Sequence, residues 1–416
     1  MNRSLKTPSG SLASTLKQGL LGLATLALAA SASAQKFEGL ALTPPMGWNS
    51  WNTFESAINE QLVLDTAQSM IDSGMRDAGY TYIVLDDCWA LRDRDPEGNL
   101  VPDPEKFPNG IKALADQLHE MGFKIGIYGD AGRTTCAGYP GSQGHEYQDA
   151  RTWASWGIDY LKYDWCATGT RDAKEAYTTM RDALRTAGRP ITFSICEWGD
   201  NEPWLWAQDV GHLWRISGDI YDCWDCEQEW SRGFKVILDR YHALKPSVVG
   251  RDGLGQYSGP GGWNDADMLE VGNPGLTLAE SRSHFTLWAM ITSPLMAGND
   301  VRSMSPEIID VLTNKDVIAI NQDPDGVSAW RFGIVPGKYE TWIKPLQGGD
   351  WAVCILNTSE ETQTAEIQWH RMERALSGEF EIHDLWADKS LSTTHKDLKA
   401  KIASHDVLLM RLSPKK

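Results

Sequence analysis

The sequence predicts an α/β protein: a (β/α)8 TIM barrel followed by a C-terminal antiparallel β-sandwich. Three observations predict it. From about residue 40 to 320, short β-like runs alternate with amphipathic helical segments about eight times. No glycine fingerprint for a nucleotide follows an early run, which argues against an open doubly wound sheet. After Asn321-Gln322-Asp323-Pro324 the helical period stops and short alternating runs replace it.

Residues 1–34 precede the first element and have the form of a cleaved export signal. Arg3, Lys6 and Lys17 make a basic leader, Leu20 to Ala30 an apolar stretch, and Ala32-Ser33-Ala34 a cleavage site before Gln35. The apolar stretch is too short to span a bilayer comfortably. No cysteine marks a lipid anchor and no twin arginine precedes the stretch. The mature chain is therefore expected to be exported, periplasmic or secreted, with the barrel over 35–322 and the β domain over 323–416. Losing Arg3, Lys6 and Lys17, with no acid among them, moves the formal charge from −17 to −20. So acidic a surface repels nucleic acid and anionic membrane, and favours a neutral substrate.

The barrel strands are expected at Met46–Trp48, Tyr82–Leu85, Lys124–Tyr128, Tyr160–Tyr163, Thr192–Ile195, Leu213–Ile216, Gly262–Asn264 and Leu295–Ala297. Helices are expected at Glu60–Ser73, Ile111–Met121, Ala173–Ala187, Glu227–Ala243, Ala279–Met290 and Pro306–Leu312. The β domain shows runs at Tyr339–Trp342, Trp351–Leu356, Thr364–Trp369, Phe380–Asp384 and Asp406–Leu412, and its expected role is to pack against the barrel.

Seven cysteines leave at least one thiol unpaired. Cys136 and Cys166 lie just past strand ends and can bridge neighbouring loops. Cys223-x-x-Cys226 reads as a small disulfide, two free thiols, a redox pair or half a zinc site. No second C-x-x-C or histidine pair completes a metal set. Cys88, Cys196 and Cys354 sit in apolar or aromatic runs and read as buried small hydrophobes.

Tyr160-Leu161-Lys162-Tyr163-Asp164 ends in an acid with a cation two residues back. Leu213-Trp214-Arg215-Ile216-Ser217-Gly218-Asp219 repeats the theme. In a βα barrel the carboxyl ends of strands converge on one face. Acids at those ends are Asp86 and Asp87, Asp130, Asp164, Asp219, and Asp265 with Asp267. Such an acidic, tryptophan-rich mouth holds either a metal or sugar hydroxyls. A metal hydrolase on this fold wants histidines, and no H-x-H follows the first strand. Sugar chemistry with two carboxylates and no metal or other cofactor is the better fit.

Met46-Gly47-Trp48-Asn49-Ser50-Trp51, Leu85-Asp86-Asp87-Cys88-Trp89, Gly126-Ile127-Tyr128, Thr135-Cys136-Ala137-Gly138, Lys162-Tyr163-Asp164, Cys196-Glu197-Trp198, Arg215-x-x-x-Asp219 and Gly261-Gly262-Trp263-Asn264-Asp265-Ala266-Asp267-Met268 occur in that order. This set resembles glycoside hydrolase family 27, the retaining α-galactosidases and α-N-acetylgalactosaminidases, from about residue 40 to 325 and more weakly beyond. The resemblance implies hydrolysis of terminal α-galactosyl residues from oligosaccharides or polysaccharides, without a cofactor. It implies Asp164 as nucleophile and Asp219 as acid/base. Asp86 and Asp87 would hold the C4 and C6 hydroxyls with Trp51 against the ring, and Lys162 and Tyr128 would join the substrate-binding set. Arg215 and Asp267 would meet the C2 and C3 hydroxyls, while Arg215 pairing structurally with Asp219 is the plainer alternative. Cys196 and Trp198 would form the bulky C2 wall of the galactosidase branch, with Glu197 beside them. The resemblance also implies a Cys136–Cys166 disulfide. It departs at Ser56, where relatives often carry a cysteine, so Cys88 is expected to be free.

Two rivals share these motifs: β-L-arabinopyranosidase, disfavoured by the Asp86-Asp87 pair, and α-N-acetylgalactosaminidase, disfavoured by Cys196 and Trp198. A galactose-binding protein without activity would need neither catalytic acid. Lys162, on the same strand face as Asp164, is expected to favour its ionised form. Asp265 and Asp130 have bland readings as a supporter of Asp267 and a loop cap. The loop Ser247–Ser258 would shape the preference for the leaving group.

Overall fold

The computed structural model describes Met1 and residues 35–243, 253–372 and 375–415. The expected export signal, and the first part of Ser247–Ser258, lie outside the described residues. Eight parallel strands form the core: β1 (Met46–Asn49), β2 (Tyr82–Leu85), β3 (Lys124–Asp130), β4 (Tyr160–Asp164), β5 (Thr192–Cys196), β6 (Leu213–Arg215), β7 (Trp263–Asp265) and β8 (Leu295–Ala297). Their hydrogen-bonded order is β8-β1-β2-β3-β4-β5-β6-β7. The last gap closes just beyond β7. There Leu269 donates its N–H to the Met296 carbonyl at 2.7 Å and accepts from Gly298 at 2.9 Å. The result is the expected barrel.

Helices α1 (Glu60–Asp72), α2 (Gly110–Glu120), α3 (Glu146–Trp156), α4 (Ala173–Ala187), α5 (Phe234–Ala243), α6 (Leu278–Met290), α7 (Pro306–Leu312) and α8 (Lys315–Asn321) cover the strands. Helix α4 illustrates the local logic. The Asp172 side chain caps its start by accepting from the Glu175 amide, and Gly188 ends it in the left-handed region. Its buried Ala176, Tyr177, Met180, Ala183 and Leu184 form one helical stripe.

Two departures from the sequence expectation have physical causes. Helix α3 was not expected, because two of its buried positions are acids, Glu146 and Asp149. Their partners come from distant loops: Arg171 at 2.9 Å and Arg94 at 2.7 Å. Helix α5 begins at Phe234 rather than Glu227, because Ser231–Arg232 pairs in parallel with Asp219–Ile220 instead of coiling.

The C-terminal strands are β9 (Trp330–Val335), β10 (Tyr339–Pro345), β11 (Trp351–Asn357), β12 (Gln363–Ile367), β13 (Phe380–Asp384), β14 (Lys389–Thr393), β15 (Leu398–Ile402) and β16 (Val407–Pro414). A six-stranded antiparallel sheet, β9-β10-β11-β16-β13-β14, faces the two-stranded β12-β15 pair. Strand β11 is buried on both faces. Val353 and Ile355 join the sandwich's own core, while Ala352, Cys354 and Leu356 join the core that continues into the barrel. The sandwich therefore packs on the barrel, as expected.

Helix α6 lies at that junction, which is why nearly every side is buried, polar residues included. Its Ser283 hydroxyl donates to the His405 carbonyl at 2.5 Å, Arg282 pairs with Asp406, and the Trp386 indole donates to Thr286 at 3.0 Å. Lys344 of β10 is wholly buried there, and its Nζ donates to the Ile320 and Ala289 carbonyls at the ends of α8 and α6.

Candidate active site

The barrel mouth is built by parallel register. On β4, Lys162 and Asp164 share a face. Tyr128 and Asp130 of β3 stand opposite them, as do Ser194 and Cys196 of β5. Arg215 of β6 pairs in register with Asp265 of β7. A narrow void at the barrel axis is lined by Asn49, Tyr160, Lys162, Cys196, Arg215 and Asp267 among others. Strand alternation thus brings residues far apart in sequence to one place.

Asp164, the last residue of β4, is 6% exposed. One carboxylate oxygen accepts from the Tyr128 hydroxyl at 2.9 Å and the other from the Trp165 amide at 3.0 Å. Burial pushes its carboxyl up to about 6; the Lys162 ammonium opposes this, and the Asp219 charge adds to it. Lys162 does favour the ionised form, as expected from sequence, but burial outweighs it. Lys162 spends its direct contact elsewhere, at 2.7 Å from Asp86. Desolvation of a buried carboxylate then outweighs a cation that it does not touch.

Asp219 is built differently. The chain leaves the barrel after β6, and Asp219 opens a separate two-residue strand. Its side chain is 52% exposed and held by Arg215 at 3.0 Å. Arg215 is itself 3% exposed and also pairs with Asp267 at 2.7 Å. Both readings of Arg215 from sequence are therefore compatible with its position: it anchors Asp219 and stands beside Asp267 in the mouth. Asp267 adopts a positive φ of 78°, accepts from the Ile220 amide at 2.8 Å, and receives support from Asp265, which accepts from its N–H at 2.8 Å.

Across the mouth, Asp86 accepts from Lys162 and from the Asn49 side chain, each at 2.7 Å, while its amide donates to the Ser50 hydroxyl at 3.1 Å. Asp87 accepts from the amides of Cys88 at 2.7 Å and Ala137 at 3.0 Å, and burial raises its carboxyl. Asn49 and Ser50 had no assigned role in the sequence reading. The signal lay in the Gly47-Trp48-Asn49-Ser50 run at the end of β1, where polar side chains meet the mouth. Asp130 is a loop cap, as its bland reading had it. It accepts from the Gly132 amide at 2.6 Å and the Cys166 amide at 3.0 Å, and burial first, then the Asp164 charge, pushes it up to about 8.

Trp51 is half-buried at the head of the short helix after β1, and Trp198 is half-buried with a positive φ of 59°. Cys196 is a buried free thiol 3.6 Å from the Arg215 guanidinium. Glu197 is buried and turned into its own loop, accepting from Gly199 at 3.0 Å and from the Asn201 amide at 2.6 Å. Cys136–Cys166 is a disulfide, Cys223–Cys226 is a second one, and Cys88 and Cys354 are free and buried. A side chain on Gly132 would collide with the Cys166 carbonyl, so the two bridged loops meet as closely as glycine permits. Among the described residues, the one cluster with metal-like spacing is Asp130 with Cys136 and Cys166, whose thiols are already bridged.

The family model for alpha galactosidase A matches residues 43–323, and that for the alpha galactosidase C-terminal beta sandwich domain matches 336–412. The chain belongs to this family of glycoside hydrolases. Alpha-galactosidase A of Cellvibrio japonicus is 50% identical, over 96% of this chain and all of its own. The structure of alpha-galactosidase I from Mortierella vinacea superposes with a TM-score of 0.85 at 36% identity, covering 91% of this chain and 98% of its own. That of the Saccharomyces cerevisiae enzyme with raffinose gives 0.84 at 32% identity, covering 92% of this chain and all of its own. Among the described residues no helix is long and apolar enough to cross a membrane.

Proposed function

We propose that this enzyme is a retaining α-galactosidase that removes terminal, non-reducing α-linked galactose from oligosaccharides or polysaccharides. Asp164 is the nucleophile and Asp219 the acid/base. The observation that carries this is the pairing, in one mouth, of a buried carboxylate fixed by Tyr128 and Trp165 with a half-exposed one fixed by Arg215. Asp164 stands in register with Cys196, whose thiol lies 3.6 Å from the Arg215 that holds Asp219. The likeness to three α-galactosidases supports galactose as the sugar.

The chemistry balances with these two acids. An Asp164 oxygen attacks the anomeric carbon as the glycosidic C–O bond breaks. The bonding pair goes to the leaving oxygen, which takes the Asp219 proton. Water then gives its proton to Asp219 while its oxygen attacks the same carbon, and the ester to Asp164 breaks. Two inversions give retention. Asp86 and Asp87 hold the C4 and C6 hydroxyls, Lys162 binds a hydroxyl beside them, and Trp51 lies against the ring. Tyr128 orients Asp164, and Arg215 and Asp267 stand at C2 and C3. Cys196 and Trp198 fill the space that an acetamide would need. The catalytic barrel occupies 35–322 and the β domain 323–416, and residues 1–34 are an export signal removed after Ala34.

A panel of nitrophenyl glycosides followed by proton NMR tests the reading. The expected result is α-galactose as the first-formed anomer. Faster turnover of the β-L-arabinopyranoside or the N-acetylgalactosaminide, or β-galactose appearing first, would overturn it.

A further inference from the structure

Asp219 sits at the head of a segment, 221–230, whose Tyr221, Asp225 and 227–230 are exposed. A carboxylate that must meet a leaving oxygen within a fraction of an ångström needs its loop held. Several ties run back into the barrel. Ile220 donates to Asp267, the Gly275 amide donates to Asp222 at 2.9 Å, and the Cys223–Cys226 bridge closes the turn. Gly275 is so close that a side chain there would strike the Asp222 carbonyl.

One tie leads to the other domain. Trp224 turns inward from this segment and stacks on the imidazole of His405, with ring centroids 4.1 Å apart and planes 8° apart. Its indole also packs on Phe234, the first residue of α5, at 5.1 Å. His405 lies in the turn before β16, in a left-handed conformation with φ 55°. An ordinary loop would relax that strain. Here it is held from several sides. The His405 carbonyl accepts from Ser283 of α6, Nδ1 lies 2.8 Å from Glu280 of α6, and Nε2 lies 3.3 Å from Glu360. Glu280 is in turn fixed as the capping partner of Thr277.

We infer that the sandwich positions the acid/base, with His405 and Trp224 as positioning residues that clamp the Asp219 segment from outside the barrel. This rests on Asp219 being the acid/base, as proposed above. A clamp of this kind acts on proton donation and leaves nucleophilic attack alone. Its signature therefore depends on how much the leaving group needs a proton.

The experiment compares kcat/KM on raffinose, whose leaving alkoxide needs protonation, with 2,4-dinitrophenyl α-galactoside, whose leaving group does not. His405→Ala is expected to lose on the order of 10- to 100-fold on raffinose and under about twofold on the aryl substrate. His405→Phe, which keeps a flat ring over Trp224, should recover most of the loss. Trp224→Ala should reproduce the split from the barrel side, and it serves if the His405→Ala chain does not fold. Equal losses on both substrates, or none on raffinose, would overturn the clamp. Asp219→Ala is the control. A strong split there beside an unsplit His405→Ala sinks the clamp alone, whereas no split in Asp219→Ala removes the acid/base assignment and the clamp with it.

Discussion

The two sides of the barrel mouth present the same functional group in opposite settings. On the β3–β4 side Asp164 ends a barrel strand, is almost wholly buried, and has both carboxylate oxygens occupied by donors from rigid structure. On the β6–β7 side Asp219 stands off the barrel on a two-residue strand, half open to solvent, held by one arginine and a tethered segment. A nucleophile needs a fixed line of attack. An acid/base needs access to a leaving group and then to water. Environment, not residue type, separates the roles.

Breaking the buried side should give the largest effect. Asp164→Asn keeps the shape and removes the charge of the proposed nucleophile, so turnover should fall by ~10³-fold or more on substrates with good and poor leaving groups alike. Steady-state assays on both would show it, and a variant active on either would undo the contrast. Breaking the open side should give a loss confined to substrates with poor leaving groups. Asp219→Ala should cost ~10²- to 10⁴-fold where the leaving group needs a proton, and far less on a dinitrophenyl galactoside.

The pH profile sharpens the comparison further. As the proposed nucleophile Asp164 must be ionised to attack, and burial holds its carboxyl up near 6, so kcat/KM should fall as pH drops through about 6. The Lys162 charge works against that upward push. Lys162→Met should therefore move the acid limb to higher pH, whatever it does to binding. An unmoved limb would mean that another group sets it.

The smallest expected effect concerns the junction behind the acid side. Burial lowers Lys344 to about 7, below the ordinary lysine value of 10.5. Between those values the unfolded chain binds a proton that the folded one does not. Stability should therefore rise with pH across that window and be lost as pH falls toward 7. One proton sets a limiting slope of about 1.4 kcal/mol per pH unit. Lys344→Met should flatten it, as denaturant titrations at pH 7.5 and 9.5 would reveal.

The clustering of acids at strand ends, and the order of the motifs, were legible because they are local: a run of β-formers ending in Asp needs no tertiary knowledge. Helix α3 was hidden because its inward acids are satisfied only by arginines from loops far away in sequence. The false helix start at Glu227 arose because the 219–220 and 231–232 pairing is non-local and competes with coiling. Strands β9, β14 and β15 were also unmarked, since almost none of their positions is buried and the apolar period is weak.

By itself the sequence determined the alternation that makes a barrel, the switch to a β domain, and the acids that crowd one face. Periodicity and turn chemistry act over a few residues, and those features need nothing more. Tertiary structure alone decided that Lys162 spends its contact on Asp86, that burial raises Asp164 against it, and that the sandwich reaches back to the acid's segment through His405. Desolvation and ion pairing depend on which groups share a low-dielectric space, and only the folded chain brings those groups together.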